Sequence, residues 1–472
     1  MSVAAISLTV GGLTPADRHA GRPHRRAAAG FTLVELTVAL LAGLIVAMGI
    51  VALSREATRT FHEEVRSSAA EATLRTAVDR LQADLQRAGY MSTGNIQTDP
   101  MLSFVPGGNR LPSTAPAPLK RLAGIHLSQG WSSTGNALSL SGSQTPALAP
   151  DMIEIAGNMT TAEQFEVMGY QPQSGNCTTL LLSGTSPAIL RILNNNTTVA
   201  VDGSVSPSSN ADIEMRNVFQ PVAANATTQF LVRFVDDTGH TQYLLTCGVA
   251  QAAGIGSTFP MAPYLLIDVS KTPLLTAQQT GTVGGVNGQA DAGGVVHGWV
   301  NPLQIVRWEI TKASGATDNE PSQYVAAFAG GDASAADANK YDLMRSYYDV
   351  VNDRILPETS EVIAEYAVDL NFAFSVADAT GTNITSYPFD STSNQTAADN
   401  VLTTTAQPQR IRSVRARVVT RTAQADRTLN VSFGGDSGLS FIYRYYLGPG
   451  QWARARTDVI EVSLPNQSRA FF

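Results

Sequence analysis

The sequence predicts an α+β fold in which one long N-terminal helix, membrane-spanning over its first half, packs on an antiparallel β-sheet carrying large loop insertions. Three observations predict it. An apolar run from Phe31 to Leu53 is broken by a single charge, Glu35. The helical pattern then continues to a stop at Gly89, with an apolar stripe from Leu74 to Ala88. From Met91 onward the apolar period changes to two, with turn residues between the runs.

The 23 residues from Phe31 to Leu53 cover roughly 34 Å as a helix, enough to cross a bilayer. Gly43 and Gly49 are tolerated in such a helix. The segment that follows contains no Pro, and its one Gly, Gly89, is a C-terminal stop. Leu74, Val78, Leu81, Leu85 and Ala88 recur at spacings of 4, 3, 4 and 3, one apolar stripe that packs on a sheet. Arg75, Asp79, Arg80, Asp84 and Arg87 are assigned to the opposite, polar face, and His62 to a solvated one.

Strands are expected at 229–235, 242–248, 303–311, 362–376, 411–421, 440–448 and 458–466. Asp236, Asp237, Thr238 and Gly239 form a hairpin turn between the first two. Polar stretches at 127–150, 170–176, 193–211, 250–259, 276–294, 312–337 and 378–408 are expected as loops. The organisation is therefore a leader (1–30), the membrane-spanning half of the helix (31–53), its amphipathic half (54–90), a β-rich head with insertions (91–340) and a C-terminal sheet region (341–472).

Arg18, Arg22, Arg25 and Arg26 precede the apolar run, so the leader stays cytoplasmic and residues after Leu53 lie outside. Without residues 1–30, 28 basic residues face 38 acidic ones, a net charge of −10. That balance argues against a nucleic-acid surface. Cys177 and Cys247 are the two cysteines, and in an oxidising exported compartment they are expected to form a disulfide. Two cysteines without a His cluster do not make a zinc site.

A carboxylate inside a membrane span costs roughly 2.5–3.5 kcal/mol at the bilayer centre, so Glu35 calls for a partner there. The junction Gly30-Phe31-Thr32-Leu33-Val34-Glu35-Leu36 with its apolar run resembles the leader of type IV pilins and pseudopilins. The resemblance implies that a prepilin peptidase/methyltransferase cuts after Gly30 and that Phe31, the new N-terminus, is N-methylated. It also implies that Glu35 pairs with a neighbouring subunit's terminal amine. Removing one partner of a buried ion pair costs roughly 3–5 kcal/mol, so the pair would act as a check on subunit register. Because Glu35 is present, a neighbour is expected above this subunit.

The stretch Asp84, Leu85, Arg87, Ala88, Gly89 and Tyr90 is similar to the helix end of PilW-type minor pilins. Tyr341 to Arg345, followed by Val362, Val368, Leu370, Phe372 and Phe374, resembles their C-terminal half. The strand at 411–421 and the ending 462–466 fit the same family, whereas roughly 91–220 carries no resemblance.

Signals for catalysis are weak. Gly435-Asp436-Ser437-Gly438 matches a serine-protease nucleophile motif, but His240 and His297 lack the matching context, and the tetrapeptide fits a turn. Asp332, Asp337, Asn339 and Asp342 do not have calcium-loop spacing. The glycines at 281, 284, 285 and 288 lack the flanking strand and helix of a nucleotide loop. Arg410, Arg412, Arg415, Arg417 and Arg421 are expected on a solvated strand face, with an anion or partner patch as the alternative. Tyr443, Tyr445, Tyr446 and Trp452 are expected in sheet packing, with a partner patch as the alternative.

The resemblance thus implies a non-enzymatic minor pilin without cofactor that primes type IV pilus assembly, serving adhesion and twitching motility. Its partners would be other minor pilins, the major pilin and a tip adhesin. It would wait in the inner membrane with its head in the periplasm, then sit at or near the pilus tip. A minor pseudopilin of a type II secretion system shares every motif, and a membrane-anchored surface enzyme is the third reading.

Overall fold

The computed structural model describes residues 32–102, 111–130, 150–171, 177, 188–192, 197–199, 205–207, 211–220, 228–236, 239–250, 264–268, 270–272, 298–311, 340–398, 407–426, 444–448 and 451–468. The chain divides into two units, 1–62 and 63–472. Gly30, Phe31, the Gly435–Gly438 motif, the glycine-rich stretch, His297, Asp332, Asp337, Asn339 and Tyr443 lie outside the described residues.

In the first unit, helix α1 (Leu33–Gln86) begins. Its apolar side chains from Leu33 to Leu53 are exposed. By length and composition this helix can cross a membrane.

The second unit is built of strands with short helices between them. In chain order these are α2 (Ala117–Lys120), β1 (Ile125–Ser128), β2 (Met152–Gly157), β3 (Phe165–Gln171), β4 (Ala188–Ile192), β5 (Thr197–Val199), β6 (Val205–Pro207), α3 (Ala211–Phe219), β7 (Phe230–Asp236), β8 (Thr241–Ala250), β9 (Tyr264–Ile267) and β10 (Gly298–Thr311). Then follow β11 (Asp342–Asp349), β12 (Arg354–Ile355), β13 (Glu361–Ala364), β14 (Ala367–Ala377), β15 (Ile384–Ser386), α4 (Thr392–Ala398), β16 (Ile411–Arg421), β17 (Arg444–Gly448), β18 (Gln451–Ser463) and α5 (Pro465–Ser468). Among the described residues, every pairing between these strands is antiparallel. The unit is α+β, as expected.

One sheet runs β15-β14-β16-β18-β17. A larger, 11-stranded sheet is organised by β10. The second half of β10 pairs with β2 on one edge and β11 on the other. Its first residues, Trp299 and Val300, pair with β3 on one edge and β7 on the other. Because β3-β4-β9-β8-β7 are themselves paired in that order, these strands and β10 close into a six-stranded ring. A closed ring leaves no free strand edge.

Three apolar clusters fill the unit. In the largest, Leu74, Val78, Leu81 and Leu85 of α1, with Ala88 just beyond it, pack with Ile153, Val306 and Trp308 of one sheet and Phe372, Val414 and Val462 of the other. All five residues of the predicted stripe are buried. The second fills the ring with Phe165, Val232, Phe234, Leu244, Leu265 and Val300, joined by Met215 and Phe219 of α3. The third joins Leu231, Tyr243 and Leu245 of the ring to Ile305, Tyr348 and Val350 through Ile96, Leu119 and Leu122. Cys177 and Cys247 are disulfide-bonded, as expected.

Several boundaries differ from expectation. The strand expected at 362–376 is two, because Tyr366 takes φ +55°. That turn is held by its N–H, which donates to Asp342 (3.1 Å), and its carbonyl, which accepts from Arg421 N–H (3.0 Å). The last strand begins at Gln451 rather than 458 and gives way at Pro465 to a short helix. The stretch 193–211 contains the β5–β6 hairpin, and 378–408 contains β15 and α4. Local composition there is polar, but pairing with neighbours decides the structure.

Buried acids give this unit a pH dependence. Asp151 accepts N–H bonds from Gly130 (3.1 Å) and Phe372 (3.0 Å). Burial, with Asp369 and Asp390 nearby, nevertheless pushes its pKa up to about 7. Burial raises Asp369 to about 6 although Arg417 pairs with it. Acids with raised folded-state pKa stabilise the fold below their ordinary value, and that contribution is lost as pH rises through the folded pKa. The thermal unfolding midpoint is therefore expected to fall between about pH 4 and pH 7. Asp151→Asn should flatten that slope, and calorimetry across the range checks it.

Candidate functional site

The first candidate site is the start of α1. Thr32 stands immediately before the first helical residue and Glu35 in the first turn. Thr32 N–H and Oγ1 both donate to Glu35 Oε2, each at 3.0 Å, while Glu35 N–H donates to Thr32 Oγ1 at 3.3 Å. This is a capping box, in which two helix-end amides are satisfied reciprocally. Sequence reasoning treated Glu35 as a charge awaiting a partner and missed Thr32. The T-x-x-E spacing ahead of an apolar run was the available signal.

The second is the other end of the same helix. Asp84, assigned to the polar face, is buried. Its Oδ2 accepts from Arg345 Nε (2.7 Å) and Trp308 Nε1 (3.0 Å), and its Oδ1 from Arg345 Nη2 (3.3 Å). The Arg345 and Asp84 side chains are 3% and 8% exposed. Asp84 lies three residues after Leu81 and seven after Ala77, so helix geometry brings it beside the stripe. Arg345 also approaches Glu361 at 4.0 Å, and Glu361 meets Arg80 of α1 at 3.7 Å.

Past Gln86 the chain turns at Gly89, whose φ of +71° suits glycine. Gly89 N–H donates to Ala156 O (2.9 Å), and Asn158 N–H to Tyr90 O (2.9 Å). Gly157 is needed for this approach, since a Cβ there would lie 2.3 Å from the Arg87 carbonyl. Arg87 donates to Met159 O, and Asn466 Nδ2 donates to Gln86 O at 2.8 Å. Three segments singled out in the sequence, 84–90, 341–345 and 462–466, thus meet at one helix end.

The arginine strand is corrected. Arg417 pairs with Asp369 at 2.9 Å, Arg415 donates to Tyr387 O at 2.7 Å, and Arg421 is buried and donates to Thr422 O at 3.0 Å. Arg417 and Arg421 answer buried acceptors and Arg415 a half-buried one, rather than forming a solvated face. Arg412 donates to Gln409 O. Tyr445 is buried, and Tyr446 meets Trp452 edge to face. His62 is exposed, and His240 closes the β7–β8 turn by donating its N–H to Asp236 Oδ1.

Asp342 is paired with Lys340 at 3.7 Å. Among the described residues no group of three or more His, Cys, Asp or Glu side chains is placed to hold a metal ion. A further ion cluster surrounds Glu154, which meets Arg307 at 2.7 Å, His126 at 3.2 Å and Arg121 at 3.9 Å. Burial alone would raise the Glu154 pKa, but the His126 hydrogen bond and the Arg307, His126 and Arg121 charges hold it well below the usual carboxylate range.

No family model, curated protein or solved structure matches the chain.

Breaking a buried ion pair by removing one partner costs roughly 3–5 kcal/mol. Asp84→Ala is therefore expected to lower the unfolding free energy of the full chain in detergent by about that amount. Asp79→Ala, on the exposed side of the same helix, should change it by less than about 0.5 kcal/mol. Denaturant titration of the two variants checks the difference.

Proposed function

We propose that this chain is a membrane-anchored minor pilin of the PilW type. It is cleaved after Gly30, methylated at Phe31, and primes type IV pilus assembly with other minor pilins at or near the fibre tip. One observation carries the reading. Glu35 is the single charged residue from Leu33 to Leu53, on a helix whose apolar side chains there are all exposed.

Such a surface needs an apolar medium, and within it a carboxylate needs donors. In the separate subunit Thr32 supplies them. In the fibre, the terminal amine of a neighbour supplies a full opposite charge, which binds a carboxylate more strongly than a hydroxyl does. Assembly then exchanges a local cap for an intersubunit ion pair. The meeting of segments 84–90, 341–345 and 462–466 around Asp84 supports the same reading. So does the size of the head: a shaft repeating it would be crowded, whereas a copy near the tip has room.

Glu35→Ala is expected to leave cleavage and membrane retention intact. It should lower the amount in the fibre fraction at least about tenfold, the scale set by losing a partner worth roughly 3–5 kcal/mol. Thr32→Val removes a cap, worth about 1 kcal/mol, that the separate subunit alone uses, and should leave the fibre fraction at or above the wild-type level. Blots of membrane and sheared-fibre fractions, beside a deletion strain, read both effects. Normal pili with failed secretion would instead assign the chain to a type II secretion system.

A further inference from the structure

We propose that the outer edge of β18, from Val459 to Ser463, receives an extended segment of a different subunit as an added strand. The edge follows from backbone parity. Leu464 N–H donates to Arg412 O, and Thr422 N–H donates to Arg454 O, each at 2.9 Å. Even-numbered residues of β18 therefore turn their main-chain groups to β16, and odd-numbered ones turn theirs to the opposite edge. Along that edge β17 pairs with Gln451 to Arg454. Among the described residues, Val459, Glu461 and Ser463 have no strand beside them. The Val459 N–H is capped by the Asp458 carboxylate at 2.8 Å. Among the described residues, the Val459 carbonyl, both main-chain groups of Glu461 and the Ser463 N–H have no strand partner and can receive an incoming strand.

The side chains say what that strand is. Val459 is 50% exposed on the outer face of the sheet, beside the exposed Glu461. On the inner face Ile460 is partly buried against the main core and Val462 fully. An added strand would extend both layers. A second copy of this edge, paired antiparallel about Glu461, would set Glu461 against Glu461, and like charges directly opposite are unfavourable. The fitting segment is a different one, with Lys or Arg across from Glu461 and apolar residues across from Val459 and Ile460. The strand runs beside α1, since Arg456 donates to Ser67 Oγ at 2.7 Å and Asn466 reaches Gln86. A subunit that packs along α1 therefore meets this edge. The proposal rests on the assembly reading above.

Glu461→Pro removes an outward N–H while sparing the bonds to β16, and Glu461→Lys reverses the charge without touching the backbone. Both are expected to be cleaved normally and to fall at least fivefold in the fibre fraction. A photo-crosslinking residue at position 459 should give an adduct with another fibre subunit. Should Glu461→Pro fail to fold, Glu461→Lys and the crosslink decide. Wild-type fibre levels of a folded Glu461→Pro or of Glu461→Lys, or an adduct only within the chain, overturn the proposal. Glu35→Ala separates the two claims: if it is excluded from fibres while the Glu461 variants enter, the edge proposal alone fails. If Glu35→Ala enters normally, the assembly reading fails.

Discussion

The head of this protein is organised around one buried carboxylate. Asp84 reaches from the last turns of α1 to Trp308 on β10 and Arg345 on β11. Both strands belong to the sheet beneath the helix. Apolar burial supplies most of the holding energy, at roughly 1.5–3 kcal/mol per fully buried Leu or Val side chain. The ion pair adds direction. A buried pair is a poor source of net stability, yet removing one partner is costly. It therefore penalises any arrangement of the helix in which Asp84 and Arg345 are apart.

Strand β10 carries that constraint outward. Its second half lies under α1, and its first half closes the six-stranded ring. The third apolar cluster fills the space between ring and sheet. The ring is thus tied to the core that holds the helix both through the backbone of one strand and through side-chain packing. What surrounds Asp84 fixes the frame in which the ring's outer surface is presented.

Much of this was legible in the sequence where one physical signal dominates. The stripe from Leu74 to Ala88 is periodic and lies in the core, and the strand at 411–421 has the bounds its alternation gives. Legibility failed where long-range pairing decides. Asp84 looks like a solvated residue until Arg345 and Trp308, more than 200 residues away, are placed beside it. Arg417 likewise looks solvated until Asp369 is placed. The ring was not foreseen, because closure depends on β10 pairing with both β3 and β7, which no local pattern encodes. Thr32 was missed for a different reason, since its capping signal is local but was overshadowed by the charge of Glu35.

The two ends of α1 frame the functional account. At one end Asp84 fastens the helix to its sheet, and at the other Thr32 donates to the Glu35 carboxylate. The proposal that links them, a subunit processed for fibre assembly, rests on a single covalent event at Gly30. Mass spectrometry of the N-terminal peptide of the chain recovered from cell membranes tests that event most directly. The account predicts a peptide beginning at Phe31 with one added methyl group on its amine. A chain that retains residues before Phe31, or begins beyond Glu35, would contradict it.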